Sequence, residues 1–73
     1  MSPSHIPVTS GSKLVRALER VGWEHVSTKG DHAKLRKGGV RVIVPLHKEL
    51  KRGTTAAILR QIGMSPEALR DLL

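Results

Sequence analysis

Residues 29–45 read KGDHAKLRKGGVRVIVP, and how this stretch pairs with itself decides the fold. The Gly38-Gly39 pair separates two alternating runs, 32–37 and 40–45. Glycine takes positive φ at no steric cost, so Gly-Gly in that place is a hairpin signal. A two-residue loop then sets the register by arithmetic. Lys37 faces Val40, Arg36 faces Arg41, Leu35 faces Val42, Lys34 faces Ile43, Ala33 faces Val44 and His32 faces Pro45. Directly opposed residues share a face of the sheet. One face carries Ala33, Leu35, Val40, Val42 and Val44 and is expected to be core. The other carries His32, Lys34, Arg36, Arg41 and Ile43 and is expected to be basic and exposed. Arg36 against Arg41 is an unfavourable like-charge pair. An anion or acidic partner on that face relieves it; so do arginines that splay apart in salt.

Upstream, WEHVST (23–28) reads as a first strand, joined to the hairpin by a turn at Lys29-Gly30-Asp31. Before it, Leu14, Val15, Leu18 and Val21 recur at helical spacing. Thr9 or Ser10 is placed to cap that helix, and Gly22 to stop it. Residues 1–9 hold two prolines and no periodicity and read as a flexible arm; residues 10–73 form one domain. Downstream, 46–52 reads as a polar connection. Thr54 is expected to cap a second helix, with Ile58, Leu59 and Ile62 on its buried side and Gly63 at its end. Ser65-Pro66 opens a short third helix whose apolar face is Ala68, Leu69, Leu72 and Leu73. The order helix, three consecutive strands, helix, short helix predicts an α+β fold. Its simplest form is an antiparallel meander with the helices on one face. The other sheet face, the basic one, is left open.

Thirteen Lys and Arg stand against six Asp and Glu, a net charge of +7. Such a surplus draws polyanions, and nucleic acid is the default partner. Trp23 is the sole aromatic residue. A platform that stacks several bases needs several aromatic faces, so contacts to phosphate and sugar are expected to dominate. With 73 residues the core is small and any site shallow. There is no cysteine, hence no disulfide and no thiolate-held metal. The first residues show no secretory pattern, and the longest apolar run, 42–46, contains Pro45 and is too short to cross a bilayer. The expected location is the cytoplasm, with no membrane contact.

Of the four histidines, His5 falls in the arm and His25 on the first strand. None pairs at the spacing of a zinc site and no acidic cluster accompanies them, so neither metal nor other cofactor is expected. Asp31 and His32 are chain neighbours, an arrangement that rarely gives triad geometry. His32 opens a strand on the basic face, and His47 follows its partner Pro45. Cations around an imidazole favour its neutral form, the form a general base needs. RNA carries its own nucleophile, the 2′-hydroxyl, so a base and charge stabilisation suffice without a metal. A polar histidine at a strand end is the commoner reading of the same pattern. Lys48, Lys51, Arg52, Gly53 and Thr54 lead into a helix N-terminus, which attracts phosphate; an ordinary helix start with flanking charge fits equally.

Taken together, the motifs resemble the HicA toxins, RNA-cleaving bacterial proteins partnered by HicB antitoxins. The resemblance runs from about Gly11 to Met64 and contains KLVRALERVGWE (13–24), KGDHAKLRKGG (29–39) and VRVIVPLHKELKRGTTAAILRQIG (40–63). It implies a fold like a double-stranded-RNA-binding domain and ribonuclease action on mRNA that blocks translation. The family's Gly-Ser-His motif places the catalytic histidine at His32; Lys29, Lys34, Arg36, Arg41, Lys48, Lys51 and Arg52 are the RNA-binding candidates by their charge and place in the chain. It also implies a HicB-type antitoxin that covers the His32 face, with DNA reached only through the antitoxin complex. His47 matches a second family histidine and is an auxiliary candidate. Asp31 stands where the family has serine, so the motif reads Gly-Asp-His. A carboxylate there would orient the base or favour its charged form, and would repel the scissile phosphate. A non-catalytic RNA-binding module is the alternative, and a domain docking an acidic protein partner is a third.

Overall fold

A computed structural model describes residues 5–73. The chain forms α1 (Gly11–Arg20), β1 (Glu24–Lys29), β2 (His32–Lys37), β3 (Val40–Pro45), α2 (Arg52–Ile62) and α3 (Pro66–Leu72). The strands make one antiparallel sheet in the order β1-β2-β3. The expected α+β meander is therefore what forms, and all six predicted pairs across β2 and β3 hold.

Ser10 caps α1: its hydroxyl accepts the Lys13 amide at 3.1 Å. The helix buries Gly11, Leu14, Val15, Ala17 and Leu18. It ends at Val21, and Gly22 follows at φ 100° to turn the chain toward the buried Trp23. Lys37 donates to the Val21 carbonyl at 2.7 Å, setting a cation where the helix dipole is negative.

Ala33, Leu35, Val42 and Val44 form the sheet side of the core. Val40, expected there, is 44 % exposed: it is the first residue after the hairpin turn, where the sheet ends and helix cover ends with it. β1 is exposed along its whole length. Its pairing with β2 slips once, between His25 and Ser27, so that Val26 is an extra residue and a β-bulge forms. The slip brings Lys29 opposite His32. The first turn is thereby only Gly30-Asp31, one residue shorter than expected. Each hairpin has glycine at positive φ in the first loop position, Gly30 at 61° and Gly38 at 60°.

The 46–52 connection is not simply polar. Leu50 is buried, and its amide donates to the Thr9 carbonyl at 2.9 Å. With Leu50 anchored, α2 winds from Arg52, and Lys51, not Thr54, stands at its N-cap without a side-chain bond. Thr9 is buried, Ile6 packs on the core, and the His5 carbonyl accepts from Arg70 at 2.7 Å; residues 1–4 of the expected arm lie outside the described residues. Gly63 closes α2 in the left-handed conformation. Ser65 caps α3, which buries Leu69 and half-buries Leu72, while Ala68 and Leu73 stay exposed. Among the described residues no helix is long and apolar enough to cross a membrane.

Thr55 is fully buried on α2, and its Oγ1 has no hydrogen-bond partner among the described residues. A buried unpaired hydroxyl costs free energy that an isosteric methyl does not. Thr55→Val should leave stability unchanged or raise it by about 1 kcal/mol, read as a higher urea midpoint. A lower midpoint would show that the hydroxyl is bonded in solution.

Candidate active site on the open sheet face

The two registers lay side chains in rows across the strands. Lys29, His32 and Pro45 form one row; Ser27, Lys34 and Ile43 the next; Glu24, Arg36 and Arg41 the third. Rows two residues apart along a strand are about 7 Å apart. The bulge decides the membership of β1: without it, Val26 would stand opposite Lys34 in place of Ser27.

At one end of this face lies a three-residue polar cluster. The Asp31 carboxylate places Oδ1 2.9 Å from Nδ1 of His32 and Oδ2 3.4 Å from Nε2 of His47. Adjacency in the chain argued against triad geometry, while a carboxylate at Asp31 was expected to orient the base, as the first contact allows; the second contact was not expected. The two-residue turn makes both possible, because Asp31 sits immediately beside the paired His32. Backbone bonds hold the pieces: Leu46 N–H donates to the Asp31 carbonyl at 2.6 Å, and Gly11 N–H to the His47 carbonyl at 2.9 Å. All three side chains are a little over half exposed. For Nδ1 of neutral His32 to donate to Asp31, the ring proton must sit on Nδ1, which leaves the Nε2 lone pair free. No three His, Asp or Glu among the described residues are arranged to hold a metal ion.

The cations differ in what they have to offer. Arg36 binds Glu24 at 3.0 Å. The acidic partner that relieves the Arg36–Arg41 pair is thus within the chain. Lys29 and Lys34 have no acidic partner among the described residues. With Ser27, His32 and Ile43 they line a shallow depression of about 350 Å³. Arg41 is exposed beside them, its backbone carbonyl accepting from Gln61 at 2.9 Å. Lys48, Lys51 and Arg52 are exposed on the connection and the start of α2, outside that depression. His25 is exposed on β1 and shares a 2.7 Å hydrogen bond with Thr28. A second depression, about 310 Å³, lies between α1 and α3; Lys13, Arg16 and Arg20 line it with apolar residues, and no histidine or carboxylate side chain reaches it.

No curated protein matches the chain. The sequence model described as HicA toxin of bacterial toxin-antitoxin matches residues 11–64, from the buried start of α1 through both histidines of the cluster to the turn after α2. A match over that share of a 73-residue chain is decisive: the chain belongs to the HicA toxins, the toxin members of bacterial toxin–antitoxin pairs.

Proposed function

We propose that this chain is an endoribonuclease that cleaves mRNA, arrests translation, and is neutralised by a HicB-type antitoxin seated on the His32 face. The observation that carries the reading is the 2.9 Å contact between Asp31 and Nδ1 of His32, which leaves Nε2 uncommitted on a ring that lines a basic, open depression with Lys29 and Lys34. In this reading Nε2 takes the proton of an RNA 2′-hydroxyl. The 2′-oxygen then bonds to the adjacent phosphorus while the bond to the 5′-oxygen breaks. Water at this open site protonates the departing oxygen. The products are a 2′,3′-cyclic phosphate and a 5′-hydroxyl. Lys29, Lys34 and Arg41 supply positive charge to the phosphate as negative charge grows on it.

Asp31 takes the part of a positioning residue. Both its oxygens lie against imidazole nitrogens, so its charge is directed at the histidines more than at the substrate. Held this way, the carboxylate repels the scissile phosphate less than one turned toward it would. His47 braces the carboxylate from the other side.

The reading makes the reaction independent of metal. Purified protein should cut single-stranded mRNA in EDTA as it does without it, and should leave RNA with 2′-fluoro sugars intact. Cutting of the fluorinated strand would mean a water nucleophile. Binding without cutting would leave a non-catalytic RNA-binding module.

A further inference from the structure

Ile43 is 45 % exposed at the end of the Ser27–Lys34–Ile43 row, on a face whose other side chains, Pro45 apart, are polar or charged. It forms one wall of the depression that holds His32, and Ser27 forms another. We infer that this depression is a nucleobase subsite: the base of an unpaired nucleotide beside the scissile phosphate packs on Ile43, and the Ser27 hydroxyl reads its edge. The inference rests on the ribonuclease reading and deepens it by naming the substrate as single-stranded RNA with its bases turned outward.

Four observations converge on it. Trp23, the sole Phe, Tyr or Trp residue, is buried, so a base in this depression has only the His32 ring and Ile43 to lie on, and with His32 engaged at the 2′-hydroxyl it is Ile43 that is left to it. About 350 Å³ is at the small end of ligand sites, suited to a single nucleotide. Lys29 and Lys34 line the same depression as Ile43 and Ser27 and are available to the phosphates on either side of that nucleotide. The β1 bulge turns Ser27 into the row in place of Val26, exchanging an apolar side chain for one that both donates and accepts hydrogen bonds. Bases paired in a duplex have neither a free face for Ile43 nor a free edge for Ser27, whereas unpaired bases offer both.

The test separates base contacts from phosphate contacts. A short 2′-fluoro oligonucleotide, which the native protein cannot cut in the reading above, is titrated alongside the same strand made wholly abasic. Removing the bases should weaken binding to the native protein about tenfold, the worth of one well-covered apolar contact. For Ile43→Thr, which keeps the β-branch and the strand, the loss should shrink to about twofold or less. Ser27→Ala should flatten the preference among strands of different base. An equal abasic penalty in native and Ile43→Thr proteins would overturn the subsite and leave Ile43 as a contact for a protein partner. If the native protein neither binds the fluorinated strand nor cuts RNA, the ribonuclease reading fails and the subsite falls with it. RNA cutting with an unchanged penalty sinks the subsite alone.

Discussion

His32→Ala should lower RNA cleavage by about 10²- to 10⁴-fold, the usual worth of a positioned general base, and abolish growth arrest on expression. Melting should stay unchanged. The His32 side chain is 56 % exposed at the first position of β2, so its removal opens no cavity. The strand's backbone pairing to Lys29 and Pro45 does not depend on it. Arrest that persists in His32→Ala would remove this histidine from the mechanism. Asp31→Ser, which restores the family's serine, gives a graded companion. It frees both imidazoles from the carboxylate while leaving the base in place, so its loss should be smaller than that of His32→Ala and fall on kcat more than on KM. Equal kcat and KM for Asp31→Ser and the native protein would show that the carboxylate does nothing.

Gly11→Ala should be the most damaging small substitution in the fold. Helix propensity alone favours alanine over glycine by about 1 kcal/mol. Here the sign is reversed. A Cβ on Gly11 would run into the Pro45 carbonyl and the Leu46 Cα, and both are backbone atoms that cannot rotate away. Relief requires α1 to back off the end of β3, which breaks the Gly11–His47 bond. Overpacking of this kind costs about 3 kcal/mol at the upper end of its usual range. In a domain of this size that lowers the melting temperature by about 15 °C. A melting point within a degree or two of the native protein would show that the seam has slack. Cleavage by the folded fraction should fall as well, because the same shift moves His47.

The hairpin register was legible because it follows from local rules: a glycine pair, period-two alternation and opposed residues on one face. The open basic face followed from that register without any tertiary information. What escaped the sequence depends on contacts between distant segments. Val26 looks like any strand residue, and only the pairing to β2 shows it as the bulge that places Ser27 and Lys29. Thr54 satisfies the cap pattern, but Leu50, anchored to Thr9, makes the helix begin earlier. Glu24 lies 12 residues from Arg36 and becomes its partner only across the sheet. The Asp31–His47 contact joins a turn to a loop beyond the next strand. A short signal did exist for Asp31: with two residues between Lys29 and His32, the turn itself would have placed the carboxylate beside the ring.

Three backbone bonds, Gly11 to His47, Leu46 to Asp31 and Leu50 to Thr9, stitch the start of α1, the first turn and the connection after β3 into one seam. Two of the three end on residues of the Asp31–His32–His47 cluster. The His47 end of the cluster is therefore fastened to the docking of the first helix, while Asp31 and His32 are held by the β1–β2 turn and the paired start of β2. Segments fastened in this way open together. An excursion that lifts the beginning of that helix would carry His47 off Asp31 before the sheet itself comes apart, so the completeness of the cluster follows helix docking more than the strength of the strands.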